Sequence, residues 1–247
     1  MNRFGRYAIY YMPDPASELW SLASSWLGRD AYTGRELNRL ELPALKKANL
    51  DRLTASPRHY GFHATLKAPF ETVGRDVESL LLSSVEDFAS RRSPFSVQLE
   101  VAPIGDFMAL RLAEPAAAMT ALHEDCVRDL DRLRTPISDS DLVRRRKARL
   151  TPVQDAYLVR WGYPYVLDEF RFHMTLTSRI ASRSSKESIR QVLADLFAPH
   201  TSVPHRIEGI AVFGQADRQA PFRVVDWFAF RGAELAGATT SESVSLA

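Results

Sequence analysis

The chain has 247 residues, enough for a substantial core built as one large domain or two small lobes. Its apolar share of 45% and charged share of 25% are those of a globular protein, and a net charge of only +2 argues against nucleic-acid binding through bulk electrostatics. No apolar run reaches the length of a bilayer span, and a single cysteine, Cys126, excludes an internal disulfide and a thiolate zinc cage. The opening residues carry no signal-peptide pattern, so a reducing, cytoplasmic setting is expected. Cys126 reads as a buried helix residue and not as a nucleophile.

In chain order, Arg6 to Met12 is rich in β-formers and stops at Pro13, as a strand does. Ser17 caps an amphipathic helix running to Leu27. Residues 28 to 58 hold Gly28, Gly34, Pro43 and Pro57, with a short helix near Ala44 to Leu53. Tyr60 to Ala68 reads as a strand, Val77 to Arg91 as a helix, and Phe95 to Val101 with Phe107 to Leu112 as a strand pair turning at Gly105-Asp106. Pro115 to Leu133 is helical, and Asp139 to Trp161 holds two more helices broken at Thr151-Pro152. Tyr163 to Val166 is an extended piece, Phe170 to Ser178 a strand and Ser185 to Phe197 a helix. Arg206 to Phe213 with Phe222 to Arg231 is a second strand pair, and 232–247 has the composition of a disordered tail.

His-x-Thr-Leu occurs twice, as His63-Ala64-Thr65-Leu66 and His173-Met174-Thr175-Leu176, 110 positions apart (173 − 63). Each copy opens the same order of elements, strand, helix and strand pair, which reads as a duplicated unit. Strand alternation puts Gly61, His63, Thr65 and Lys67 on one face of the first motif strand and Phe62, Ala64 and Leu66 on the other. On the second, Arg171, His173, Thr175 and Thr177 oppose Phe172, Met174 and Leu176. One such polar face alone would simply be a solvated surface; two sharing His, Thr and a nearby cation point to chemistry. Cleaving a phosphodiester needs a base for the attacking oxygen and an acid for the leaving one, and two imidazoles supply both near neutral pH. Threonine hydroxyls, Lys67 and Arg171 can hold the non-bridging oxygens. The scheme calls for no metal or other cofactor.

Tyr60, Tyr163 and Tyr165 are candidates to stack on a sugar or bond a phosphate, against buried packing as the plainer reading. Arg58, just before the first motif, is a candidate to bind a second phosphate, against surface exposure as the plainer reading. The run Arg144-Arg145-Arg146-Lys147 with Arg149 is either a solvated helix face or a terminal-phosphate clamp. His59, His123, His200 and His205 lack a partnered threonine and read as surface or structural residues.

The paired motifs resemble the 2H phosphoesterase superfamily. Tyr60 to Phe70, Trp161 to Val166 and Phe170 to Thr177, with Arg6 to Tyr10 and Trp26 to Ala31, are similar to one bacterial branch, the phosphonate-metabolism proteins associated with carbon–phosphorus lyase operons. The resemblance implies an α+β, bilobal fold, with two pseudo-symmetric antiparallel sheets and outer helices around a central cleft. The lobes would be residues 6–114 and 115–231, exchanging strands. It also implies metal-independent acid–base catalysis by His63 and His173 with Thr65 and Thr175 as phosphate ligands. The substrate class implied by the branch is a small phosphoribosyl cyclic phosphate, such as 5-phosphoribosyl 1,2-cyclic phosphate. Two other readings compete. One is an RNA-end enzyme acting on 2′,3′-cyclic phosphates or 2′,5′ linkages, although a nucleic-acid partner is not favoured. The other is a non-catalytic phosphate-ligand binder. Oligomeric state is not legible in the residues.

Overall fold

The computed structural model describes residues 3–43, 45–72 and 77–232; the expected tail beyond 232 lies outside the described residues, as does Ala44. In chain order the elements are β1 (Arg6–Tyr11), α1 (Glu18–Leu27), α2 (Lys47–Tyr60), β2 (Ala64–Phe70), α3 (Val77–Ser90), β3 (Phe95–Val97), β4 (Leu99–Ile104) and β5 (Phe107–Leu112). After them come α4 (Ala117–Asp129), α5 (Asp139–Arg146), α6 (Pro152–Trp161), β6 (His173–Thr175), α7 (Arg183–Thr201), β7 (His205–Ile207), β8 (Gly209–Gln215) and β9 (Arg223–Ala229). The result is α+β with every strand pairing antiparallel.

The two expected sheets meet. β4-β5-β6 and β2-β1-β8-β9 join through the motif strands into one seven-stranded sheet, and β3 pairs with β7 apart from it. At the join Ala64 faces Met174, and in the small sheet Ser96 faces Arg206. Both separations are 110 (174 − 64 and 206 − 96), the spacing of the two motifs, so a pseudo-two-fold axis passes through both pairings. The halves interlock around it: α3 packs on β8 and β9, and α7 on β4 and β5. Each half's helix therefore covers the other half's strand pair, where apolar faces such as Val85 and Phe88, or Leu193 and Phe197, are removed from water.

Three local features hold the motif strands in place. Ser17 caps α1 by accepting from the Trp20 N–H at 3.2 Å, and the helix ends at Gly28 in the left-handed region. Near that end the indole of Trp26 donates to the Leu176 carbonyl at 2.7 Å, tying α1 to the second motif. Helix α2 runs past the expected end near Leu53 to Tyr60, through Pro57. Proline cannot donate to the carbonyl four residues back. That freed carbonyl, of Leu53, accepts instead from the backbone N–H of Ser178, so the helix tolerates proline and also fastens the end of the second motif segment.

The helix then stops at Gly61, with φ +81° and ψ 174°, a conformation almost reserved for glycine. Tyr60, expected on the first motif strand, is thus the last residue of a helix, and that strand, β2, begins at Ala64. A methyl group on Gly61 would lie 2.5 Å from the Ala31 methyl. Gly61→Ala is expected to cost about 1–3 kcal/mol in backbone strain, with the clash in addition. A urea midpoint unchanged from the parent protein would contradict this.

Candidate active site

Continuing the Ala64–Met174 pairing one residue each way sets His63 opposite Thr175 and Thr65 opposite His173. These four side chains share the face away from buried Ala64, Leu66, Phe172, Met174 and Leu176. The histidines are then diagonal neighbours, about 7–8 Å apart at the backbone. The same tether orients both rings. Nδ1 of His63 donates to the Gly61 carbonyl at 3.0 Å, and Nδ1 of His173 donates to the Arg171 carbonyl at 2.7 Å. A carbonyl only accepts, so the proton is fixed on Nδ1 and each Nε2 presents a lone pair. The Thr65 hydroxyl lies 3.5 Å from Nε2 of His63.

The surroundings of the two rings differ. His63 stacks on Tyr10 with centroids 3.8 Å apart, whereas His173 meets Phe107 at 5.8 Å. Burial holds the His63 imidazole down at about 4; the Gly61 carbonyl opposes this and nearby His173 adds to it. Burial lowers His173 as well, against the pull of the Arg171 carbonyl. Both rings are therefore neutral at pH 7 in the free protein.

A cleft of ≈ 330 Å³ opens beside Thr65 and His173, lined also by Arg171, Tyr163, Tyr165 and Gln154; His63 and Thr175 do not line it. That volume suits a small ligand. Arg171 is exposed at its mouth, and Tyr165 is also exposed. Tyr60 stands 6.2 Å from the His63 ring, stacks on Phe222 and does not line the cleft.

Lys67 corrects the expected alternation. Tyr10 pairs with Thr65 but Ile9 pairs with Lys67, so β2 carries an extra residue between them and forms a bulge. The bulge turns Lys67 to the other side of the sheet. There it is 4% exposed, with Nζ 2.9 Å from Asp131 and 3.1 Å from the Val127 carbonyl at the end of α4. It does not line the cleft. Lys67→Met is expected to destabilise the fold by about 3 kcal/mol, because Asp131 retains only Arg134. Denaturant unfolding checks this; a loss of phosphate affinity at unchanged stability would restore Lys67 as a ligand.

Arg58 pairs with Glu36 at 2.7 Å and is not in the cleft. His123 stacks on Phe170 and accepts from the Leu167 N–H, and His205 bonds the Tyr11 hydroxyl, so both serve the framework. Cys126 is buried on α4 and burial raises its pKa. The basic run divides. Arg144 pairs with Asp141 and Arg146 with Asp155, both at 2.7 Å, while Arg145 turns inward over the Tyr163 ring. Sequence reasoning missed Tyr10 and Gln154. Tyr10 reads as an ordinary strand aromatic, and Gln154 is occupied in the Thr151 capping box, a pattern that explains it without a site.

Among the described residues no group of three His, Cys, Asp or Glu side chains is placed to hold a metal ion, and no helix is long and apolar enough to cross a membrane. The chain is 36% identical over 226 residues to "Ribose 1,5-bisphosphate phosphokinase PhnN" of Janthinobacterium sp. (strain Marseille), a match covering 90% of this chain and 49% of that protein. It spans about half the length of the curated relatives it matches. Among solved structures it is similar to TT0787 of Thermus thermophilus (14% identity, TM-score 0.44, 92% and 98% of the two chains covered). It is also similar to LigT of E. coli complexed with 3′-AMP (12% identity, TM-score 0.44, the same coverage). At those scores no functional conclusion rests on the likeness. A family model matches residues 65–223, from the first motif threonine to the start of β9, and the chain belongs to that family, described as "Protein of unknown function (DUF1045)".

Proposed function

We propose that this protein is a phosphoesterase that opens a cyclic phosphodiester, with His63 and His173 sharing the proton transfers and Thr65 and Thr175 holding the phosphoryl oxygens. The observation that carries the reading is the repeated tether of the two imidazoles. Both rings give Nδ1–H to the carbonyl two residues back, which frees both Nε2 atoms on one face of paired strands. Ligand binding alone would not require two such groups. One neutral imidazole takes a proton from water as the water oxygen attacks phosphorus. The ring P–O bond breaks, and the protonated imidazole opposite gives its proton to the leaving oxygen. A phosphomonoester results, and the rings have exchanged protonation states. Arg171, Tyr163 and Tyr60 are proposed to border the substrate, with the halves 6–114 and 115–231 each giving one motif to a single catalytic unit.

The curated relative from Janthinobacterium is named for ribose 1,5-bisphosphate, which supports a phosphoribosyl compound as substrate class. Its kinase step is not carried over, because this chain has no Gly-x-x-x-x-Gly-Lys-Ser/Thr loop to cradle a nucleotide's phosphates. The test is phosphorus NMR of the purified protein, in chelator, against a panel of ribose cyclic phosphates. Conversion of a cyclic resonance to a monoester resonance is expected. A folded protein that leaves the whole panel unchanged would overturn the reading.

A further inference from the structure

A second cavity, of ≈ 60 Å³, lies beyond Tyr163, and four arginines line it: Arg6, Arg134, Arg145 and Arg218. Two of them are already committed. Arg134 is held by Asp131 at 2.9 Å, and Arg218 by Asp141 at 2.8 Å and Glu71 at 3.4 Å. Glu71 and Asp141 are the carboxylates on the cavity wall, and both are engaged by Arg218.

Arg6 and Arg145 are different. Among the described residues neither has an ion pair. Arg6 donates only to the neutral amide of Gln215 and lies over Phe222, 5.4 Å from the ring centre. Arg145 lies over Tyr163 at 5.0 Å, and its Nε is buried without a hydrogen-bond partner. Burial lowers the pKa of both, with Arg218 acting further on Arg6 and Arg144 on Arg145. Asp141 offsets part of the charge on Arg145 from across the cavity, but neither guanidinium has a carboxylate in direct contact, an arrangement that a bound anion would relieve.

The cavity adjoins the candidate active site along two paths. Tyr163 lines the cleft while Arg145 covers its ring, and Gly162, next in the chain, lines the cavity. On the other side the His63 ring stacks on Tyr10, Tyr10 approaches Phe222 at 6.0 Å, and Phe222 lies beneath Arg6. We infer that Arg6 and Arg145 bind a second phosphoryl group of the same substrate, so that the ligand is a sugar carrying two phosphoryl groups, one at each end. This assignment rests on the proposed phosphoesterase reading only for what occupies the histidine end.

The test is calorimetric and does not depend on turnover. Ribose 5-phosphate and ribose 1,5-bisphosphate are titrated into the wild-type protein, Arg145→Gln and Arg6→Gln. Inorganic phosphate is titrated into the His63→Ala/His173→Ala variant with and without Arg145→Gln. The wild type is expected to bind the bisphosphate at least about tenfold more tightly than the monophosphate, and either arginine change is expected to erase that advantage. Inorganic phosphate is expected to bind the His63→Ala/His173→Ala variant and to be lost with Arg145. Arg145 is on the rim helix α5, so its variant reports even if Arg6→Gln in β1 fails to fold.

Equal affinity for the two sugars, or an advantage that survives in Arg145→Gln, overturns the inference. Free phosphate bound at Arg145 without any bisphosphate advantage also overturns it, and would mark a site for a separate anion. A bisphosphate advantage with no turnover of any cyclic phosphate would sink the catalytic reading and leave this one standing.

Discussion

Replacing His63 or His173 by alanine is expected to lower kcat for cyclic-phosphate opening by about 100- to 10,000-fold, the usual worth of one positioned acid or base. The double variant should lose little more than either single one, because the two imidazoles act within one proton circuit. The structure gives reason to expect that both variants fold. His63 lies against Tyr10 and Phe213, which pack on each other at 4.9 Å without it. His173 is in a three-residue strand whose neighbours β2 and β5 pair through backbone groups. Thermal melting confirms folding, and phosphorus NMR measures the rate. A single variant turning over at the parental rate would eliminate the pair as acid and base.

The second large effect is in pH. In the free protein burial holds His63 at about 4 and lowers His173 from its ordinary value, so the form with two neutral rings gains as pH rises and predominates at pH 7. The mechanism needs one protonated and one neutral imidazole. Since kcat/KM reports the free enzyme, it should peak below pH 6.5 and fall about tenfold per unit above the upper apparent pKa, which belongs to the pair. A bound phosphoryl group favours the imidazolium, so kcat, which reports the complex, should peak at a higher pH than kcat/KM. A kcat/KM profile flat between pH 6 and pH 9 would contradict shared acid–base duty. Equal optima for the two parameters would show that the ligand does not charge the rings.

The two motifs were legible in the sequence because everything that makes them is local. Strand alternation sets His beside Thr, and the carbonyl that orients each ring is only two residues away. Where the outcome depended on a distant strand, the pattern gave no warning. Lys67 obeys strict alternation until β1 imposes its register and the bulge turns it toward α4. Pro57 reads as a helix breaker unless one knows that Ser178, 121 positions later (178 − 57), takes the carbonyl it frees. The union of the sheets through Ala64 and Met174 was likewise invisible, since each half alone satisfies the rules for a small antiparallel sheet. Arg145 was noticed as part of a charge run, but only the fold separates it from the solvated Arg144 and Arg146.

The pairing of β1 with β8 has a consequence for how the molecule comes into being. Arg6 bonds opposite Gln215, 209 positions away (215 − 6). On the ribosome the first strand must therefore wait for almost the whole described chain to emerge before its outer edge is covered. Until then the backbone N–H and C=O groups from Arg6 to Tyr10 form an open edge on which another strand can pair. Assembly should be slow, prone to clumping at high expression levels, and helped by holdase chaperones that shield the emerging β1.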